Sequence, residues 1–431
     1  MSRSGPLRFE IRHDSPSCGA RLGAVTTLHG KFDTPAFMPV GTKGTIKGIL
    51  PSLVEATGAQ IILNNTYHLL LRPGPELVAS LGGVHRFMNW PRPILTDSGG
   101  YQAFSMSDTN RIDDDGVTFK SIVDGSMIRL TPERAIQVQN LLGADIIMAF
   151  DDCPPAAPVP GGDVEDRAGS LRDDAEDAPR ARNAGPAAPR NKRSLVGNLD
   201  HRSRLEASLD RTARWLERCD QAHARPDEQS LFGIVQGGTD LSLRSRSIDQ
   251  VCGVELPGYA IGGVAVGESS DDIARVVEHA APRMPRAKPR YLMGVGYERD
   301  ILAAVRAGVD MFDCVLPTRN GRNAFAFTSE GPLKLRNAAY GEDVRPLEPG
   351  CDCHACSPTS HGWMVDRPFT RAYLRHLFMA EEMLGPVLVS LHNLRHFQRF
   401  MADIRATIVS DDWKGLILRW PVASSGLKSL A

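Results

Sequence analysis

Short apolar runs recur along the chain, and each stops abruptly at polar residues. Ile61-Ile62-Leu63, Ile94-Leu95, Ile146 through Phe150, Leu231 through Val235, Tyr259-Ala260-Ile261 and Tyr291-Leu292-Met293 show no polar alternation. That is the pattern of parallel strands buried on both faces. Between and after them lie segments of helical period. Leu205, Leu209, Ala213 and Leu216 share one face, and Leu394, Phe397, Met401, Ile404 and Ile408 step by three and four. Repeated strand–helix alternation predicts an α/β chain, and specifically a TIM-type (β/α)8 barrel. A doubly wound open sheet is the alternative. No G-x-G-x-x-G opens a helix, which weakens its dinucleotide-binding version.

In such a barrel the reacting groups stand at the C-terminal ends of the strands. The polar residues that end the apolar runs are therefore the candidates. They are Asn64 to His68, Thr96-Asp97-Ser98-Gly99-Gly100, Asp151-Asp152-Cys153, Gln236-Gly237-Gly238, Gly262-Gly263 and Asp313-Cys314. Together they offer carboxylates that ionise or accept protons, an amide that both donates and accepts, and bare backbone for close approach to a flat ligand.

Composition changes this picture in three places. From Pro154 to Asp200 the chain is dominated by Ala, Pro, Gly, Asp and Arg and carries no aromatic residue. Residues 156–200 are expected to form a disordered surface insertion, because they cannot bury enough apolar area to offset their ordering entropy. The formal net charge of the 431 residues is −1. Any nucleic-acid contact must then come from a local basic patch rather than a global positive field. Five of the eight cysteines are scattered without a framework, no signal peptide opens the chain, and no apolar run has membrane-spanning length. A reducing cytoplasm and no membrane span are expected.

The other three cysteines form a C-x-C-x2-C cluster, Cys351, Cys353 and Cys356, with His392 following in an amphipathic stretch. Three thiolates and one imidazole fill a tetrahedral zinc shell. A closed shell leaves no position for an activated water, so such a zinc braces the fold and the chemistry lies elsewhere. A metal-dependent barrel hydrolase would instead need an open site with His and Asp ligands at strand ends.

With these residues in view, the chain resembles the tRNA-guanine transglycosylases, and the bacterial type in particular. The resemblance rests on MPVGTKGTIKGI, NNTYHLLLRPG, ILTDSGGYQ, DGVTFKS, MAFDDC, GIVQGG, YAIGGVAVGE, YLMGVG, MFDCVLPTRNGRN, CDCHAC and LHN, in order from residue 38 to residue 393. It implies a (β/α)8 barrel over residues 1–345, interrupted by 156–200, with a zinc-binding subdomain and C-terminal helices over 346–431. It also implies exchange of guanine at the anticodon wobble position of G-U-N tRNAs for 7-aminomethyl-7-deazaguanine, in queuosine biosynthesis. No redox or nucleotide cofactor takes part, and the enzyme is expected to be a homodimer. An archaeosine-type enzyme would carry further RNA-binding domains, and a non-catalytic RNA-binding partner would lack the nucleophile.

The resemblance also assigns roles. Asp313 is the nucleophile that forms an ester with the ribose, and Asp97 is the general acid/base. Asp151 takes the donor edge of the base, while Gln236 and the Gly263 N–H take its O6. Tyr101 and Met293 sandwich the ring. Cys153 and Val266 match the bacterial pocket, and Val264 stands where Leu is more frequent. Its carbonyl faces the aminomethyl group, with Glu268 supporting that carbonyl. Arg319 and Arg322 read the uridines flanking the target in the U-G-U anticodon loop. Tyr373 and His376 match dimer-contact positions. Lys288, Arg290, Arg371 and Arg375 are candidates for a phosphate-binding surface, and one structural Zn2+ per subunit is implied on Cys351, Cys353, Cys356 and His392.

Overall fold

Eight parallel strands close into a barrel in chain order: β1 (Ala36–Gly41), β2 (Ile62–Asn64), β3 (Ile94–Thr96), β4 (Ile146–Met148), β5 (Ser230–Val235), β6 (Gly258–Ile261), β7 (Arg290–Leu292) and β8 (Met311–Cys314). The computed structural model describes residues 5–105, 110–154, 201–265, 267–362 and 367–424, so the low-complexity stretch 156–200 and Val266 lie outside the described residues. Every residue of β2 to β7 is buried, which is why those runs carry no polar alternation. β8 pairs with β1, Met311 opposite Ala36 and Cys314 opposite Pro39. The barrel expectation holds and the open sheet is excluded.

The chain divides into two compact units, one of Met1–Leu7, Asn65–Phe87 and Leu95–Lys288, the other of Arg8–Asn64, Met88–Ile94 and Pro289–Ala431. In the first, β4, β5 and β6 pair in parallel, with Ile147 opposite Leu231 and Ile234 opposite Ala260. The helix Pro132–Leu142 is capped by the Thr131 side chain, and it sends the fully buried Gln139 amide between two strands. Gln139 Oε1 accepts from the Met148 N–H at 2.8 Å and the Thr96 hydroxyl at 3.0 Å, and its Nε2 donates to Met148 O at 2.9 Å. One side chain thus ties the ends of β3 and β4. The helix His201–Ala222 buries Leu205, Leu209 and Leu216 as its periodicity predicts.

In the second unit, the strands Arg8–Asp14, Arg21–Thr27 and Gly30–Thr34 form an antiparallel sheet. Arg21 and Asp310 make a fully buried bidentate pair at 2.8 and 2.6 Å, and the Arg290 N–H adds a bond to Asp310 at 2.7 Å. The helix Leu384–Ser410 buries the stripe Leu394, Phe397, Met401, Ile404 and Ile408, as the three-and-four spacing predicts. Among the described residues no helix is long and apolar enough to cross a membrane.

Candidate active site and metal centre

In the first unit, the candidate groups follow the ends of β3, β4, β5 and β6. Asp97 comes directly after β3 and is buried. Its carboxylate accepts from Asn65 Nδ2 at 2.6 Å and from the Thr66 N–H at 2.7 Å, and the Thr66 hydroxyl donates to its carbonyl at 2.5 Å. Asn65 also caps the helix Thr66–Leu71, because its Oδ1 accepts from the His68 N–H. The carboxylate is therefore clasped by a helix start, a place that favours negative charge.

Asp151 follows β4 and is likewise buried. The Ser98 hydroxyl donates to one of its oxygens at 3.1 Å, and Gln236 Nε2 donates to the other at 2.6 Å. Burial pushes its carboxyl up to about 6, against those two bonds, and the Asp152 charge adds to the rise. Gln236 sits under the loop after β6. A Cβ on Gly263, where φ is +64°, would stand 2.3 Å from Gln236 Oε1, so only glycine fits there. Val264 is buried beside it. Burial raises both the Tyr101 phenol and the Cys153 thiol, and the Glu268 charge adds to the Tyr101 rise.

In the second unit, Asp313 lies in β8, partly buried. Tyr291 Oη donates to its carboxylate at 2.6 Å, and the Gly294 N–H donates to the same oxygen at 2.8 Å. Burial pushes the Asp313 carboxyl up, while these two donors pull it back toward the ionised form. Met293 is half-buried between Tyr291 and Gly294. The helix Leu316–Arg322 follows at once and carries Arg319 and Arg322, both half-buried.

The four expected metal ligands converge in this same unit. His392 Nδ1 lies 3.6 Å from Cys351 Sγ, 3.4 Å from Cys353 Sγ and 3.5 Å from Cys356 Sγ. A tetrahedral zinc with ordinary Zn–S and Zn–N lengths has an S···N edge of about 3.6 Å, so the donor set fits the ion. His392 Nε2 donates to Phe327 O at 2.7 Å, which leaves Nδ1 bare for a metal. All four ligands are buried.

A sequence profile of the queuine tRNA-ribosyltransferase family matches residues 15–168 and 194–421. A queuine tRNA-ribosyltransferase of Thermus thermophilus is 49% identical over 403 residues, covering 94% of this chain and 90% of its own. Those of Lysinibacillus sphaericus and Synechococcus elongatus are each 45% identical over 405 residues, covering 94% of this chain and 93% and 92% of theirs. The chain belongs to the queuine tRNA-ribosyltransferase family.

Two residues of the suggested phosphate surface are not available for it. Arg290 is buried against Asp310 and the Gly308 carbonyl. Arg371 is buried, bound to the Pro346 and Leu347 carbonyls and to Asp343. Asp152, one of the strand-end candidates, is almost wholly buried and held by Arg204 at 2.8 and 2.6 Å and by Arg211 at 2.5 Å, which suits it to bracing rather than to contact with a ligand. Two other groups escaped the sequence reading. Tyr291 was read only as strand, and Arg244 was not singled out. An arginine inside the apolar face Leu243, Ser247, Ile248, Val251 was the available signal for the last.

Proposed function

We propose that this chain is a tRNA-guanine transglycosylase. It exchanges guanine at the anticodon wobble position of G-U-N tRNAs for 7-aminomethyl-7-deazaguanine, a step of queuosine biosynthesis, in the cytoplasm. The observation that carries the mechanism is Asp313, a lone carboxylate on β8 oriented by the Tyr291 hydroxyl and the Gly294 N–H. In the reading, its free oxygen attacks C1′ of the ribose as the C1′–N9 bond breaks, and the electron pair leaves with guanine. Asp97 delivers the proton the departing base needs. The incoming base then attacks C1′ through N9, the ester C–O bond breaks, and Asp97 takes the N9 proton.

The recognition roles follow from donor and acceptor chemistry. An ionised Asp151 accepts from N1–H and the exocyclic amine, and Gln236 and the Gly263 N–H donate to O6. Tyr101 and Met293 flank the ring, and the Val264 carbonyl and Cys153 bound the substituent side. A base handled this way must leave the anticodon stack, and in this reading Arg319 and Arg322, on the helix that follows Asp313, hold the flanking uridines of the U-G-U loop.

Cys351, Cys353, Cys356 and His392 would hold one structural Zn2+. The ion supplies a crosslink between the cysteine loop and the helix Leu384–Ser410, in a subdomain over residues 346–431. We assign the exposed face of the helix Arg371–Met379, with Tyr373 and His376, to a homodimer contact.

The test is incorporation of labelled guanine into anticodon-stem RNA, challenged by the deazaguanine base. Asp313→Asn should abolish exchange while tRNA binding persists. Turnover retained by that variant would remove Asp313 as the nucleophile.

A further inference from the structure

Arg244 is 0% exposed, on the helix Leu241–Cys252. A buried cation normally faces a carboxylate. Here, among the described residues, the three hydrogen bonds of the guanidinium all go to backbone carbonyls. Nε donates to Gly238 O at 2.8 Å, Nη1 to Val235 O at 3.0 Å and Nη2 to Gly263 O at 3.0 Å. Burial pulls its pKa down to about 10, so it remains charged at neutral pH.

Those carbonyls belong to the turns that follow two adjacent strands, β5 and β6. Val235 is the last residue of β5, and the next peptide N–H, of Gln236, donates to Ser247 Oγ on the same helix at 2.9 Å. Gln236 then sends its amide to Asp151. On the β6 side, a trans peptide is planar, so a Gly263 carbonyl fixed on the guanidinium also fixes the plane that leads into Val264. The packing leaves no slack. A Cβ on Gly237 would stand 2.9 Å from the Arg244 backbone nitrogen, and one on Gly262 would stand 2.8 Å from Gln236 Nε2. A planar fork can serve three carbonyls lying in different directions. An ammonium on a flexible stem cannot hold all three at once.

We propose that Arg244 is a positioning residue for base selection, locking the turns after β5 and β6 so that Gln236 and the Gly263 N–H meet the 6-oxo group of the purine. This rests on the base-exchange reading above. Its distinguishing consequence is chemical: loss of Arg244 weakens recognition of O6 more than recognition of the N1 and exocyclic-amine edge, which Asp151 handles.

The experiment uses full-length Arg244→Lys and Arg244→Met with intact tRNA. It measures KM for guanine, KM for tRNA, and competitive inhibition by guanine-site ligands with O6 (9-deazaguanine) and without it (2-aminopurine, which also lacks N1–H and so reports on the exocyclic-amine contact alone). The expected result is a KM for guanine raised about tenfold, with KM for tRNA within about twofold. Inhibition by 9-deazaguanine should weaken about tenfold, while inhibition by 2-aminopurine should change less than about twofold. Equal weakening of both inhibitors, parallel loss of base and tRNA affinity, or unchanged guanine KM would overturn the inference. So would failure of both variants to fold, since Arg244 would then be a general structural residue. Wild-type enzyme that incorporates no guanine would instead sink the base-exchange reading itself, so the two failures are distinct.

Discussion

At the scale of single residues, burial makes Asp151 and Asp313 reluctant to ionise, and neighbouring donors pull each back toward the charged form. The Tyr291 hydroxyl is one of the two donors named on Asp313. Tyr291→Phe should raise the Asp313 pKa and lower kcat about tenfold, the worth of one hydrogen bond to a charged group. The acid limb of the kcat profile should move up in pH, and an unmoved limb would show the bond is not made to the reacting carboxylate. Asp151 gives a second pH signature. Its carboxyl is raised to about 6 from a usual 3.8. A raised carboxyl stabilises the fold at low pH, and that contribution is lost as pH rises through about 6. At neutral pH its ionised form therefore costs the free protein about 3 kcal/mol. Base binding has the opposite demand, because N1–H and the amine need the carboxylate. We expect kcat/KM for the incoming base to fall about tenfold per unit below pH 6. A profile flat to pH 5 would remove Asp151 from that role. The residue types at these strand ends were legible in the sequence. Their clasps were not: Asn65 on Asp97 and Gln236 on Asp151 join positions far apart in the chain, and no periodicity encodes such a pairing.

At the scale of elements, the helix Leu384–Ser410 joins the Cys3His cluster to the helix Leu316–Arg322. His392 is one of the four buried residues that could hold a metal ion. The next residue, Asn393, donates to the Pro317 and Phe325 carbonyls at 2.9 Å each and accepts from the Phe327 N–H at 2.9 Å. A Cβ on Gly321 would stand 2.5 Å from Ser390 Oγ, so the helix Leu316–Arg322 lies hard against the same element. Cys353→Ser should release the metal, measured as zinc per chain, and lower stability by at least about 3 kcal/mol. It should also weaken tRNA binding through Arg319 and Arg322 more than base binding through Asp151. Full zinc retention in that variant would show that the cysteine is no ligand. The helical stripe and the cysteine spacing announced this element in advance, since both are local patterns. β1 was missed because Pro39 and Gly41 break its apolar run, although the register with β8 accommodates the proline.

At the scale of the whole molecule, residues 169–193, the centre of the low-complexity stretch, are the part of the chain the family profile leaves unmatched. The family profile stops at residue 168 and resumes at 194. The described chain on either side is joined without that stretch. Asp152 is bound by Arg204 and Arg211 of the helix His201–Ala222, and its N–H donates to Thr212 Oγ1 at 3.1 Å. A buried carboxylate with two guanidiniums on it costs several kcal/mol to break, whereas lengthening a loop costs only about 0.6 kcal/mol per doubling. The clamp thus ties together the described residues on either side of that stretch, beside Asp151. Deleting 163–195 should leave guanine exchange within about twofold of the full chain and leave the melting temperature nearly unchanged. The arginines of that stretch set the alternative. If Arg180, Arg182, Arg190 and Arg193 gripped phosphates, the deletion would raise KM for tRNA many-fold and flatten its salt dependence, with KM for the base untouched. By contrast, Asp152→Asn keeps the insertion but weakens the clamp, and should raise KM for the base instead. The two variants therefore separate a solvated insertion closed off by Asp152 from one that serves as an RNA-binding arm.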